Sequence, residues 1–343
     1  MKSASIESWP IQQARKRRVS MKLDIFKNGD IKLTWRRVTT EYSHWLSFIV
    51  LIIVAVIVNP GFLGWNNIAN LFIQGAIVGI CAMGMSLIIS AGMIDLTVGS
   101  ACAFISGMGV VVLNQTRSVW LTLLFCLGSG CIIGLINGVL ITKGRIAPFI
   151  VTLASMSAWR SVINQLGSGG PFIIDTKIYE SFRLLAASQI GPFPILMLFF
   201  IAITVITGII MTKTKFGTYV YAVGSNELAA RLSGISVDRV KTIIFAYAGT
   251  LYGLAAFLLA SRLSAIASAS AGNGYELDAI AAVAIGGTSM AGGRGKIVGT
   301  FLGILMLRII NTVLIMAKVP PFLNGLVQGI IIIIAVLAQN RKK

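Results

Sequence analysis

The chain alternates long apolar stretches with short polar breaks. No Asp, Glu, Lys or Arg occurs from Tyr42 to Ile94, and further charge-free runs cover Leu96–Thr116, Ser118–Thr142, Leu184–Thr212, Thr242–Ser261 and Val319–Asn340. A helix needs about 20 mostly apolar residues to cross a bilayer. Only helices and closed barrels satisfy their backbone in lipid, and these runs lack the alternation of barrel strands. The pattern predicts an all-α, polytopic membrane protein with about ten transmembrane helices. They are placed at 44–59, 68–90, 96–113, 119–141, 147–164, 191–212, 242–261, 277–291, 297–316 and 320–338.

The basic residues orient these spans. With an inner N-terminus, 22 of the 29 Lys and Arg fall on inner segments, 5 on outer segments, and Arg160 and Arg308 within spans. That bias predicts N-in/C-in. Residues 1–43 then form a basic cytoplasmic tail and 44–340 the transmembrane domain, with 213–241 its longest inner loop. The tail has no short apolar core before a small-residue cleavage site, so it does not read as a signal peptide.

Composition agrees. Hydrophobic residues make up 56% of the chain, mean hydropathy is +0.87 and charged residues are 12%, about half the share usual in a soluble domain. A net charge of +18 suggests nucleic acid. The basic residues, however, sit in short segments between apolar runs rather than on one face, which excludes that partner. Cys81, Cys102, Cys126 and Cys131 lie within apolar runs, form no CxxC pair and meet a single histidine, His44. They read as small buried thiols rather than disulfide or zinc ligands.

Searches for catalytic chemistry fail. The nearest approach to a P-loop, Gly292-Gly293-Arg294-Gly295-Lys296-Ile297, has Met290 where the first Gly is needed and Ile297 where Ser or Thr is needed. No cofactor is therefore predicted.

Three features carry candidate chemistry. In the 213–241 loop, Ser225 or Asn226 caps a short helix through Glu227, Leu228, Ala229, Ala230, Arg231 and Leu232, and Gly234 stops it. Leu228 and Leu232 share a face. A helix this short does not persist alone in water and needs a docking surface, either a protein partner or lipid. The second feature is a set of ionisable residues at membrane depth: Asp95, Arg160, Arg262, Glu276, Asp278 and Arg308. Arg308 must face protein, a carboxylate or water, while Arg160 and Arg262 sit near outer ends and can snorkel outward. The third is polar uncharged residues within spans, Gln74, Asn137, Asn311, Asn324 and Gln328, which suit either a hydroxylated solute or interhelical hydrogen bonds. The segment Ala91–Ser100 and the short eighth span, with Gly286 and Gly287 inside it, read either as broken helices or as a tight turn and a close-packed helix.

Several stretches resemble one family, the permeases of bacterial ABC importers for monosaccharides of the ribose, xylose, arabinose, galactose and allose type. They are Gly92-Met93-Ile94-Asp95-Leu96-Thr97-Val98-Gly99-Ser100, then Gly224-Ser225-Asn226 through Ala229-Ala230 to Ser233-Gly234-Ile235, and Gly274 through Gly295. Pro148-Phe149-Ile150-Val151-Thr152-Leu153 is a weaker match. Met93, Ala154 and Met290 depart from the usual residues.

The resemblance implies an inner-membrane permease that uses ATP bound by a partner ABC ATPase subunit. It also implies an extracytoplasmic sugar-binding protein and a second permease subunit, as a homodimer in the bilayer. It makes Asn226, Glu227, Leu228, Ala229, Arg231, Leu232 and Gly234 the coupling helix for the ATPase. Asp95, Asn137, Glu276, Asp278, Arg308 and Asn311 are expected to shape the translocation pathway or its gate. Three other readings stand beside this one. They are a permease of this architecture for a furanosyl signal or a nucleoside, a proton-driven secondary transporter with Asp95 or Asp278 as relay, and a non-transporting scaffold.

Overall fold

The computed structural model describes residues 43–320 together with 323, 325, 326, 329 and 330. Residues 1–42 of the expected tail, the side chain of His44, most of the expected last span with Asn324 and Gln328, and residues 339–343 lie outside what it describes.

The fold is helical, with two short two-stranded sheets among the described residues. Its helices are α1 (Ser43–Val58), α2 (Trp65–Ser90), α3 (Val98–Thr116), α4 (Val119–Thr142), α5 (Pro148–Leu166), α6 (Thr176–Ala187), α7 (Ile195–Lys213), α8 (Lys215–Ser225), α9 (Glu227–Leu232), α10 (Val237–Arg262), α11 (Tyr275–Ile285) and α12 (Ile297–Met316). Strand β1 (Pro171–Ile173) pairs antiparallel with β4 (Ala265–Ala267), and β2 (Gln189–Ile190) with β3 (Phe193–Pro194).

Six of these helices, α2, α3, α4, α7, α10 and α12, are long and apolar enough to cross a membrane. The apolar part of α1 is shorter. Helix α5 is long enough but polar at Ser155, Ser157, Arg160, Ser161, Asn164 and Gln165.

Apolar helices fall into two kinds by what surrounds them. Every residue of α2 from Gly75 to Ser90 is buried, the signature of a helix enclosed on all sides. Helix α4 is equally apolar but exposes Trp120, Leu124, Ile132 and Ile136. With no hydrophobic drive between helices in lipid, close backbone approach must hold such a bundle. The α4–α10 crossing supplies it. Gly130 faces the Gly249 carbonyl, Gly134 the Phe245 carbonyl, Gly138 the Thr242 backbone, and Gly253 the Cys126 carbonyl.

A Cβ at Gly249 collides with the Gly130 carbonyl, whereas one at Gly128 meets nothing. Gly249→Val should therefore cost more than the ~1–3 kcal/mol of ordinary overpacking. Gly128→Ala should be neutral or stabilising by about 0.5–1 kcal/mol. Thermal midpoints in detergent compare the two, and equal midpoints count against the crossing.

The eighth expected span, 277–291, needs correction. Helix α11 ends at Ile285 and has 11 residues, a length of about 16 Å against a core of about 30 Å. The cause is local. Gly287, at φ 83, closes a Schellman motif in which its N–H bonds the Ala284 carbonyl at 2.9 Å and the Thr288 N–H bonds the Val283 carbonyl at 3.2 Å. The same motif ends α2, where Gly92 has φ 77, its N–H reaches the Ile89 carbonyl at 2.9 Å, and the Met93 N–H reaches the Ile88 carbonyl at 3.0 Å. The chain is thus non-helical over 91–97 and 286–296, and both breaks pack within the bundle.

Candidate functional site

The first break places a buried carboxylate. Asp95 is 1% exposed. Its Oδ1 accepts from the Thr97 N–H at 2.8 Å and from the Thr97 hydroxyl at 2.5 Å, and its Oδ2 accepts from the Tyr252 hydroxyl of α10 at 3.1 Å. Three donors and the N-terminus of α3 stand in for a counter-ion. Asn137 of α4 donates to the Thr97 hydroxyl at 3.4 Å, and the Thr152 hydroxyl of α5 reaches the Ile94 carbonyl at 3.5 Å. One short break therefore ties α3, α4, α5 and α10 together. Asp95 and Asn137 fall in this node, both enclosed.

The second cluster surrounds α11. Gly99 near the start of α3 lies directly against the Gly272 carbonyl, and a Cβ on it would stand 2.5 Å from Glu276 Oε2. The N-termini of α3 and α11 therefore converge, and Glu276 and Asp278 occupy the first turn of α11, where the dipole favours negative charge. Asp278 forms an ion pair with Arg308 of α12, with the two side chains 13% and 14% exposed. Asn311 lies one turn beyond Arg308 and is half-buried.

Arg160 does not snorkel outward as its position suggests. Its Nη1 donates to the Ser268 and Ala271 carbonyls at 3.0 and 2.8 Å, because the loop before α11 folds back over it. Arg262, by contrast, is exposed. The expected pathway residues thus fall at three places: the enclosed Asp95–Asn137 node, the Asp278–Arg308 ion pair with Asn311 one turn further along α12, and Glu276 against Gly99 at the start of α3.

The third element projects from the bundle. The Asn226 side chain caps α9, accepting from the Ala229 N–H at 2.9 Å. Gly234, at φ 82, ends it, and the Ile235 N–H bonds the Ala230 carbonyl at 3.1 Å. Glu227 meets Lys241 at 2.7 Å and Arg231 at 3.5 Å, and Arg231 meets Asp238 at 3.1 Å, so charges pin α9 to the start of α10. Ala230 faces inward, while Leu228 and Leu232 are 67% and 82% exposed. A cleft of about 530 Å³ opens beside this hairpin, walled by Glu227, Arg231, Asp238 and Lys241 on one side and by Thr142, Arg145 and Pro148 on the other.

Sequence reading missed Tyr252 and Thr97. Thr97 follows Asp95 by two, the spacing of an Asx turn, and is detectable on that ground. Nothing local marks Tyr252, which comes from a helix 157 residues later. The thiols of Cys81, Cys102 and Cys126 are buried, with 3.6 Å between the sulfurs of Cys81 and Cys102, while Cys131 is only partly so.

Residues 67–336 match the family described as branched-chain amino acid transport system / permease component. The chain is 39% identical over 322 residues to the ribose import permease protein of Bacillus subtilis strain 168, covering 94% of this chain and 99% of the relative. It is 36% identical over 308 residues to the ribose import permease protein of Escherichia coli strain K12, covering 88% and 94%. It is 34% identical over 308 residues to the L-arabinose transport system permease protein of that strain, covering 90% and 92%. No solved structure is a significant match.

Proposed function

The chain belongs to the family described as branched-chain amino acid transport system / permease component, and on that premise we propose that it is the membrane-spanning permease subunit of an ATP-driven monosaccharide importer. The carrying observation is its 36–39% identity to ribose import permeases over nearly its whole length. It is a multi-pass protein of the inner membrane and a transport subunit rather than an ATPase. Hydrolysis falls to a separate ABC ATPase, and delivery of the sugar to a substrate-binding protein.

The finer reading has about ten spans, N-in and C-in, and two permease copies. The excess of Lys and Arg on the expected inner segments supports the orientation. It places α9 on the cytoplasmic side as the coupling helix, with Asn226, Glu227, Leu228, Ala229, Arg231, Leu232 and Gly234 facing or shaping the ATPase contact. The exposed Leu pair supports that role.

In this reading Glu276, Asp278, Arg308 and Asn311 supply the polar lining of the pathway, the first two from the N-terminus of α11 where it converges with that of α3. The ends of short, interrupted helices such as α11 mark substrate sites in other transporters. A sugar suits such a lining, since each hydroxyl needs a donor or acceptor. The Asp95–Asn137 node holds the first break and acts in the gate. Transport proceeds by alternating access, and the ATPase moves that equilibrium only by binding its two states differently.

The test is uptake of radiolabelled ribose, xylose and arabinose by proteoliposomes holding this chain, its ATPase and its binding protein. Uptake of at least one sugar should require ATP and persist with an uncoupler. Uptake that ignores ATP and collapses with the uncoupler refutes the reading in favour of a proton-driven carrier.

A further inference from the structure

The end of α8 leads directly into the α9 cap, and it is also where both broken spans meet. Gly224 lies against the Ser90 carbonyl at the end of α2, and a Cβ on it would stand 2.7 Å from the Gly293 nitrogen and 3.0 Å from Ala91 Cα. A Cβ on Gly292 would stand 2.7 Å from the Gly224 carbonyl and 2.8 Å from the Gly92 nitrogen. Gly293 packs on the Ser225 hydroxyl and donates its N–H to the Ser90 carbonyl at 2.9 Å. The Tyr221 hydroxyl donates to the Gly295 carbonyl at 3.0 Å. Residues 90–92, 224 and 292–293 thus touch backbone to backbone, and the Tyr221 and Ser225 hydroxyls pack on the same junction.

We infer that Gly224 is a positioning residue of the transport cycle, which with Gly292 and Tyr221 locks the base of the coupling helix onto both broken spans so that α9 cannot move without moving them. The inference rests on the coupling role proposed for α9. Its physical basis is a comparison of the two attachments α9 has. The link to α10 runs through two side-chain ion pairs, Arg231–Asp238 and Glu227–Lys241, each with at least one partly exposed partner, and such pairs are weak and screened by salt. The link through Gly224 has no side chain to yield, and close-packed backbone transmits displacement rather than absorbing it. Within the first break lies Asp95, and beyond the second lies α12 with Arg308. A push on α9 therefore reaches both polar clusters through one junction.

Gly224→Ala tests this in the full complex with ATPase and binding protein, using ribose or whichever of the three pentoses is carried. Residue 224 is within α8, where alanine favours the helix, so a defect there reports the contact and not helix propensity. The variant should bind the ATPase and hydrolyse ATP near the wild-type rate, while sugar taken up per ATP falls at least tenfold. Gly208→Ala, where a Cβ meets nothing, should leave the ratio unchanged.

A ratio within twofold of wild type in a folded Gly224→Ala overturns the inference. Loss of ATPase binding in Gly224→Ala alone also overturns it, because the residue then serves docking. If Gly224→Ala does not fold, Tyr221→Phe is read by the same ratio: a threefold fall supports the junction and no change refutes it. Failure of the ATPase to bind wild-type permease, or binding that ignores α9 substitutions, refutes the coupling role itself and is thereby distinguished.

Discussion

Replacing Leu228 and Leu232 together with Asp should remove ATP-driven uptake and detach the ATPase subunit, if α9 is the coupling helix proposed above. The two side chains are 67% and 82% exposed on a helix of six residues. Such a helix is too short to persist by propensity. Its cap at Asn226, its glycine stop at Gly234 and its charge links to Asp238 and Lys241 hold it in shape without covering the Leu pair. Burying each Leu in a partner contributes roughly 1.5–3 kcal/mol. Losing both costs about 3–6 kcal/mol, or ~10²–10⁴-fold in affinity. An Asp facing an apolar pocket adds its own desolvation cost. Co-purification of the ATPase in detergent reads the first effect and uptake reads the second. The conservative pair Leu228→Met and Leu232→Met should keep most of both. Retained ATPase affinity in the double Asp variant shows that lipid, not protein, covers this face.

How much of this was legible in the sequence depends on the range of the interaction. Charge gaps located the long helices because lipid solvation acts on each residue separately. The α9 projection was legible for a related reason: its cap, first-turn Glu227, Leu pair and stop at Gly234 all act within ten residues. The eighth span failed on its boundary. Hydropathy runs on past Ile285, but it does not register that Gly287 adopts a left-handed backbone and ends the helix there. The ionisable residues were visible as unusual, while their partners were not. Asp278 finds Arg308 across 30 positions, Asp95 finds Tyr252 across 157, and Arg160 finds the carbonyls of a loop more than 100 positions away. No periodicity encodes such pairs. The same holds for Gly224, Gly92 and Gly292, which are plain glycines until the fold stacks them.

That dependence on distant partners makes the Asp278–Arg308 pair the sharpest test of the membrane interior. Arg308 is the twelfth residue of α12, about 17 Å along the helix and near the middle of a core about 30 Å thick. Asp278→Asn leaves that cation half-compensated among largely buried neighbours. Breaking one side of a buried pair typically costs 3–5 kcal/mol, while replacing both partners is often close to neutral. Asp278→Asn and Arg308→Gln should therefore each lower stability by about 3–5 kcal/mol in detergent–lipid micelles, and the double variant should recover most of the loss. Additive single effects, each below about 1 kcal/mol, mean that water reaches the pair and that it bears little load. Uptake separates structure from function. If the pair only holds α11 on α12, the double variant regains transport along with stability. If Asp278 and Arg308 also offer their donors and acceptors to sugar hydroxyls, the double variant regains its fold and still fails to transport. The second outcome is the one expected, because Arg308 lies one turn from Asn311 and both members of the pair keep partial exposure near the converging N-termini of α3 and α11.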